Sequence, residues 1–511
     1  MTVRASDIEA WLVAGQAALD AGHHADAAAA FRHVQDALPG EIPVALMVAN
    51  AWRLAGHTMA VRDTLLSVFH HATATASGPA LREPVDVTAI YELGAALLEA
   101  GLPAEARQLF ERVVRQRPKD PAALGALAGA TRAEGHPQRA WPIVQRAMAI
   151  ASRQPALLLT AAQIRHALGD LTRARYWLDR AEAVRPAHGP TRLQRALTSL
   201  LSGPSAEGWA DFEHRGLPTP PATGARAWHG EPLEGRSILV TAEQGQGDNF
   251  QFVRFVAELS RRGASRVVLE CHAGALSLFA ASGFDAVAKG EAPVTDWYVP
   301  MLSLPHRLGT GADVASGGIP YLHAGLPPDH STTRTENAKP IDRASRGNAP
   351  TSRRLGLVWQ GNPAFLSTTL RDLDPTLLPS LLDIPAVEWV SLQLGAALTV
   401  RDHRLEVPHM SSCWLDTALL LTGLDGVVTV DTGIAHLAGA MGLPTYILLP
   451  FTPDWRWGLS ADTTPWYPSA RLIRQRHPRD WASVVDELAR TLGSDVRHIL
   501  PDSPDVVAEP R

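Results

Sequence analysis

Gly426-Val427-Val428-Thr429-Val430-Asp431-Thr432-Gly433-Ile434-Ala435-His436-Leu437-Ala438-Gly439-Ala440 is the stretch whose reading decides the fold of the C-terminal part of this chain. A second apolar run, Tyr446-Ile447-Leu448-Leu449-Pro450, follows it. The order strand, tight turn, helix, short loop, strand is one unit of a parallel α/β sheet. Small residues and a hydroxyl sit at the turn, where the N–H groups that open a helix have no intrahelical acceptor. Such a helix start favours an anion, a phosphate above all.

The same alternation extends to both sides. Ser237-Ile238-Leu239-Val240-Thr241 reads as a buried strand, followed by a helix over 250–261 and a second strand at Val267-Val268-Leu269-Glu270. Trp297-Tyr298-Val299-Pro300 is a shorter strand. Leu355-Gly356-Leu357-Val358-Trp359 opens a second strand–helix series, which Glu388–Gln393 and the two runs around Asp431 continue. An amphipathic helix over 481–492 closes it. Between the two series, 326–352 is rich in Pro, Ser and Thr with almost no large apolar side chains, the composition of a linker or a disordered loop. Two Rossmann-like domains are expected, at 236–325 and 353–493, with a loose tail at 494–511. Ligands of such sheets bind beyond the carboxyl ends of the strands, so the cleft between the domains is the expected site.

The first part of the chain, 6–215, has a different texture. Gly22, Gly56, Gly101, Gly135, Gly169 and Gly203 each end an apolar-periodic segment, spaced by 34 residues except for one interval of 45. Five residues after each glycine stands a small or modest side chain (Ala27, Val61, Ala106, Ala140, Ala174, Gly208), and nine after it an apolar one (Phe31, Leu65, Phe110, Val144, Leu178, Phe212). Glycine permits the tight turn between two helices, and alanine lets them approach closely. A helix–turn–helix period of 34 resembles tetratricopeptide repeats, which implies about six helix pairs stacked into a solenoid with a concave face. Such arrays usually hold a protein or peptide.

Composition narrows the function classes. The chain has 511 residues, 46% of them hydrophobic, and a formal charge of −5, which gives no sign of nucleic-acid binding. Cys271 and Cys413 are too few for a disulfide framework or a cysteine-rich metal site. No apolar run approaches the ~20 residues that cross a bilayer, and no leader is evident, so a cytoplasmic location is expected. Lysine occurs only at 119, 289 and 339, so any cation that neutralises a phosphate is expected to be arginine.

Four segments carry candidate chemistry. In Glu243-Gln244-Gly245-Gln246-Gly247-Asp248-Asn249-Phe250, Gly245 and Gly247 let the backbone pass close to a ligand. Asp248 is either a plain helix cap or a carboxylate placed to accept a proton. A dinucleotide fingerprint is a poor match, because Phe250 stands where the third glycine belongs. The 431–436 turn is the second segment, and His436 taken alone is more often a buried, hydrogen-bonded histidine than a functional group. The third, Trp359-Gln360-Gly361-Asn362-Pro363, leads to Arg371, which would either neutralise a diphosphate or pair with Asp372 or Asp374. The fourth, Pro450–Trp457 with Trp466-Tyr467-Pro468, is either a wall for a base or sugar ring or a packed loop.

Together these segments resemble a known family. D-T-G-x-x-H-L-A-x-A is similar to the donor-site signature of ADP-heptose:lipopolysaccharide heptosyltransferases. The repeat array combined with E-Q-G-x-G-D, V-W-x-G-N and P-D-W-R-W resembles bacterial tetratricopeptide-containing glycosyltransferases, some of which modify flagellin. The layout is also similar to that of O-linked N-acetylglucosamine transferases. The resemblance implies a GT-B fold behind the repeats. It implies Thr432 and Gly433 on the donor phosphates, Asp431 on donor-sugar hydroxyls, His436 supporting that loop and Asp248 as general base. Arg371, Asn362, Gln393 and Trp359 complete the expected donor side, with Gly245 and Gly247 in the turn near the acceptor. The family's lysine after the first strand of the second domain is absent here, and Arg371 is the expected substitute.

The function expected is therefore transfer of a sugar from a nucleotide-sugar donor to a hydroxyl, with inversion, no cofactor and no metal. The acceptor would be a protein held by the array, flagellin-like by resemblance. The rival class is a scaffold whose transferase half is inactive and whose repeats bind a partner.

Overall fold

The computed structural model describes residues 4–74, 87–311, 313–314, 318–325, 352–361, 370–394 and 402–497. It divides into two compact units, one built on 1–194 and one beginning at Arg195. Asn362, nearly all of the 326–352 linker and the chain beyond Arg497 lie outside the described residues.

In the first unit the expected helix pairs form. They are α1 (Ala5–Asp20) with α2 (His24–Ala37), α3 (Ile42–Leu54) with α4 (Thr58–Ala74), and α5 (Val87–Glu99) with α6 (Pro103–Gln116). Two more follow, α7 (Pro121–Ala133) with α8 (Pro137–Ile150) and α9 (Pro155–Ala167) with α10 (Leu171–Val184). Each helix packs on the next, and α3, α5, α7 and α9 also pack on one another in turn, as stacked pairs require. Gly22, Gly56, Gly101, Gly135 and Gly169 all take left-handed φ between 68° and 91°. Around Gly22 and Gly56 an added Cβ would meet nothing within 4 Å. Backbone conformation, not room, is what calls for glycine at these turns. The expected close contacts Ala27, Ala106, Ala140 and Ala174 are fully buried, as are Phe31, Leu65, Phe110, Val144 and Leu178.

A second kind of glycine serves the opposite purpose. A Cβ on Gly94 would lie 2.3 Å from the Cζ atom of Phe110, and one on Gly15 would lie 2.4 Å from Cε1 of Phe31. Both aromatic rings therefore lie against bare helix backbone. Gly94→Ala should destabilise the array, since overpacking of about 1–3 kcal/mol outweighs a gain in helix propensity of about 1 kcal/mol. Gly94→Ala with Phe110→Leu should recover part of that loss. A melting temperature that rises in the single variant would show that the ring yields freely.

The second unit starts inside α11 (Gly189–Ser202) and includes α12 (Ala206–Phe212). The sequence places this sixth pair in the array to 215, but its partners from Arg195 onward lie in the α/β unit. Trp209 of α12 is buried among Phe252, Trp455 and Trp466, and its indole N–H donates to the carbonyl of Gly311 at 2.9 Å. Just beyond, Arg215 makes two hydrogen bonds to buried Glu243, at 3.0 and 2.7 Å.

Two parallel sheets follow. The first contains β1 (Arg226–Ala227), β2 (Ser237–Thr241), β3 (Arg266–Cys271), β4 (Ala286–Ala288) and β5 (Trp297–Pro300), in the order β1-β5-β2-β3-β4. The second contains β6 (Arg353–Val358), β7 (Val387–Ser391), β8 (Leu405–Glu406), β9 (Gly426–Val430), β10 (Thr445–Leu449) and β11 (Ala470–Arg474), in the order β11-β10-β9-β6-β7-β8. β9 and β10 are buried along their whole length, as expected of central parallel strands. The helix expected over 250–261 is two helices, α13 (Gln246–Phe252) and α14 (Val256–Arg261), joined by a 3₁₀ turn. α15 (Leu276–Ala281), α16 (Leu304–Leu308), α17 (Leu378–Leu382) and α18 (Trp414–Thr422) lead to α19 (Gly433–Ala440). The last helix, α20 (Trp481–Arg497), runs past the expected end at 492. Strand order reverses between β2 and β5 and again between β6 and β9. Each reversal opens a crevice at the strands' carboxyl ends.

Candidate active site

The two crevices meet. From β2 the chain turns through 242–245 into α13, from β9 it turns through Asp431 and Thr432 into α19, and α13 packs directly on α19. A Cβ on Gly247 would fall 2.7 Å from Cδ2 of His436 and 3.2 Å from the Cα atom of Gly433. Glycine at 247 is thus needed so that the two helix starts can touch. The left-handed residue of the first turn is Gln244, with φ 56°. Gly245 is the N-cap of α13.

Asp248 stands at the third position of α13, so it is not the N-cap itself. Its Oδ2 accepts from the backbone N–H of Gly245 at 2.9 Å, and its Oδ1 accepts from Nη2 of Arg456. The guanidinium of Arg456 belongs to the loop after β10, so this ion pair joins the two sheets' ends. Burial works against the charge of Arg456, but Asp454 and Asp248 more than offset it and hold the group above its usual range.

Asp431 ends β9. Burial, followed by the charge of Asp454, pushes its carboxyl up from 3.8 to about 6, while Arg371 and Arg456 pull the other way. The buried indole N–H of Trp457 is near enough to favour the carboxylate, yet has no acceptor within hydrogen-bonding geometry. Arg371 thus acts electrostatically on Asp431. Asp372 accepts from the Gly361 N–H at 2.8 Å, and Asp374 caps the turn at Thr376. The Nε atom of Arg371 is buried without a hydrogen-bond partner.

Thr432 is the N-cap of α19, but its hydroxyl pairs with that of Thr429 at 2.9 Å and does not cap the helix. The opening N–H groups of α19, Gly433 first among them, are left without the usual side-chain acceptor. His436 is buried, stacked on Trp457 at 5.2 Å between ring centroids, and Nδ1 lies 2.9 Å from the Tyr467 hydroxyl. Its Nε2 is 3.9 Å from Asp431. Burial, then Arg456, Arg254 and Arg371, drive its pKa well below 6.5, so it is neutral at neutral pH.

The ring of Trp359 is buried in the hydrophobic core of the second sheet. Gln393 is buried with its amide occupied: Oε1 accepts from the Trp359 and Gln360 N–H groups and Nε2 donates to the Gln360 carbonyl. Both residues fix the loop after β6, because the ends of β6 and β7 lie side by side there. The aromatic loop is interior too. Trp455, Trp457, Trp466 and Tyr467 are buried, which favours the packed loop over an open ring-binding wall.

Three charged residues absent from the expected set act on it. Arg456 and Asp454 lie in the Pro-Asp-Trp-Arg-Trp segment, whose aromatics draw the eye first. Arg254 is buried and donates to the carbonyls of Gln251, Val314 and Trp466 and to the Tyr321 hydroxyl. No local pattern marks it.

Known proteins are similar to parts of this chain. A tetratricopeptide repeat model matches residues 87–130, the stretch of α5, α6 and most of α7. Protein FlbA of Caulobacter vibrioides is 24% identical over 345 residues, 58% of this chain and 54% of FlbA. The chain therefore spans about half the length of that curated relative. Among solved structures, a tetratricopeptide repeat protein of Parabacteroides merdae matches with TM-score 0.33 and 14% identity, over 40% of this chain and 76% of its own. A mutant O-GlcNAc transferase of Thermobaculum terrenum matches with TM-score 0.29 and 16% identity, over 80% of this chain and 91% of its own. The chain carries tetratricopeptide repeats followed by parallel α/β sheets. No helix among the described residues is long and apolar enough to cross a membrane.

Proposed function

We propose that the α/β unit is a nucleotide-sugar-dependent glycosyltransferase of GT-B layout, and that the repeats hold a protein acceptor, flagellin-like in the reading from sequence. The observation that carries this is the meeting of two strand-order crevices at α13 and α19. It brings Asp248 with Arg456 and Asp431 with Arg371 to one place. The acceptor oxygen bonds to the anomeric carbon from the face opposite the phosphate, which gives inversion. The bond from that carbon to the phosphate oxygen breaks, and its electron pair leaves with the nucleotide. The acceptor proton passes to Asp248. The uncapped start of α19 and Arg371 meet the charge on the leaving phosphate, where fixed donors contribute most to catalysis.

One observation favours the scaffold reading: both oxygens of Asp248 already serve structural hydrogen bonds. Binding and turnover separate the two readings. UDP, GDP, ADP, CMP and their sugar conjugates should be screened by thermal shift. A true donor at 100 times its Kd adds about 2.7 kcal/mol of stability. The shift should be lost in Thr432→Val, and that donor should be consumed in the presence of acceptor. Binding of a nucleotide with no transfer from any conjugate would leave the scaffold as the better account.

A further inference from the structure

We infer that Arg456 is the positioning residue for Asp248, and that Asp248 becomes a competent base only when the ends of the two sheets are brought together. The inference rests on the reading of Asp248 as general base. Arg456 is held within its own half: Nη1 donates to Asp454 at 2.7 Å, the guanidinium lies 4.3 Å from the centroid of the Trp455 ring, and the side chain is 9% exposed. Nε donates to Oε1 of Gln251, in α13 of the other half, at 2.6 Å. The group is thus fixed on three sides and presents Nη2 to Oδ1 of Asp248. With Oδ2 held by the Gly245 N–H, each carboxylate oxygen has one fixed donor, and the plane of the group is set.

A guanidinium in this place does two things that a neutral lock would not. It orients the carboxylate toward the acceptor hydroxyl, and its ion pair ties the carboxylate of one half to the loop of the other. Because Asp248 and Arg456 stand 208 residues apart in different halves, separation of the halves removes both effects at once.

The test is steady-state kinetics on the full chain, with Arg456→Met, Arg456→Lys, Asp248→Asn and the double variant Arg456→Met/Asp248→Asn. Arg456→Met should lower kcat by on the order of 10²-fold, with the donor KM nearly unchanged. The double variant should be no slower than Asp248→Asn alone, because the two residues act as one. Arg456→Lys should restore part of kcat, and it keeps the test sound should the Met variant fold poorly. Additive losses, or a raised KM at constant kcat, would overturn the assignment while leaving the transferase intact. A wild-type protein that transfers sugar from no donor would overturn both.

Discussion

Asp248→Asn should reduce sugar transfer by about 10²–10⁴-fold, the range a positioned general base supplies. Nucleotide affinity should be nearly unchanged, since the groups proposed to bind phosphate, the start of α19 and Arg371, lie in the other half. The amide keeps the shape of the side chain and can still accept from Arg456 or the Gly245 N–H. A large loss of stability is therefore not expected, and a fall in rate reads the missing base. Single-turnover transfer and nucleotide titration on the same preparation check both parts. Equal loss of transfer and nucleotide affinity would mean that Asp248 holds the donor side together and is not the base.

Asp431→Asn should have the second large effect, and its direction depends on pH. The folded carboxyl titrates at about 6, against 3.8 for an ordinary aspartate, chiefly because it is buried. A carboxyl raised in this way favours the folded state while it is protonated. That contribution is fully present below the unfolded value near 3.8 and is lost as pH rises through about 6. The gap corresponds to about 3 kcal/mol, which ionised Asp431 costs at pH 8. The Asn variant should accordingly melt at a higher temperature than the wild type at pH 8, with the difference shrinking toward pH 4. If the variant melts lower at pH 8, attraction to Arg371 and Arg456 outweighs burial. Transfer should fall in the same variant if the carboxylate contacts donor hydroxyls, an exchange of stability for activity common at active sites.

Both predictions concern residues that were legible in the sequence, though their surroundings were not. Asp431, Thr432 and Gly433 stand between an apolar run and an apolar helix, a pattern confined to about fifteen residues. Asp248 follows a strand and two glycines within twelve. The buried Trp359 and Gln393 show the limit of such windows. A residue at the end of a strand is placed near the site by its position, but whether it faces the ligand or the core depends on the neighbouring strand. The aromatic segment after β10 shows the same limit, since its tryptophans find Trp209 and Phe252, which lie more than two hundred residues away.

The sequence by itself determined the helix-pair repeat, from a 34-residue period whose turn glycines and close-contact alanines act within a single pair. It also determined the parallel strands, whose unbroken apolar runs reflect burial on both faces. It took the packed chain to show that Arg456 pairs with Asp248, that Arg371 acts on Asp431, and that Gly247 is small so that His436 can lie against it. The physical reason is one of range. Turn conformation and burial of a strand are set by side chains a few residues apart, whereas charge pairing and close helix contact depend on which distant backbones packing brings together.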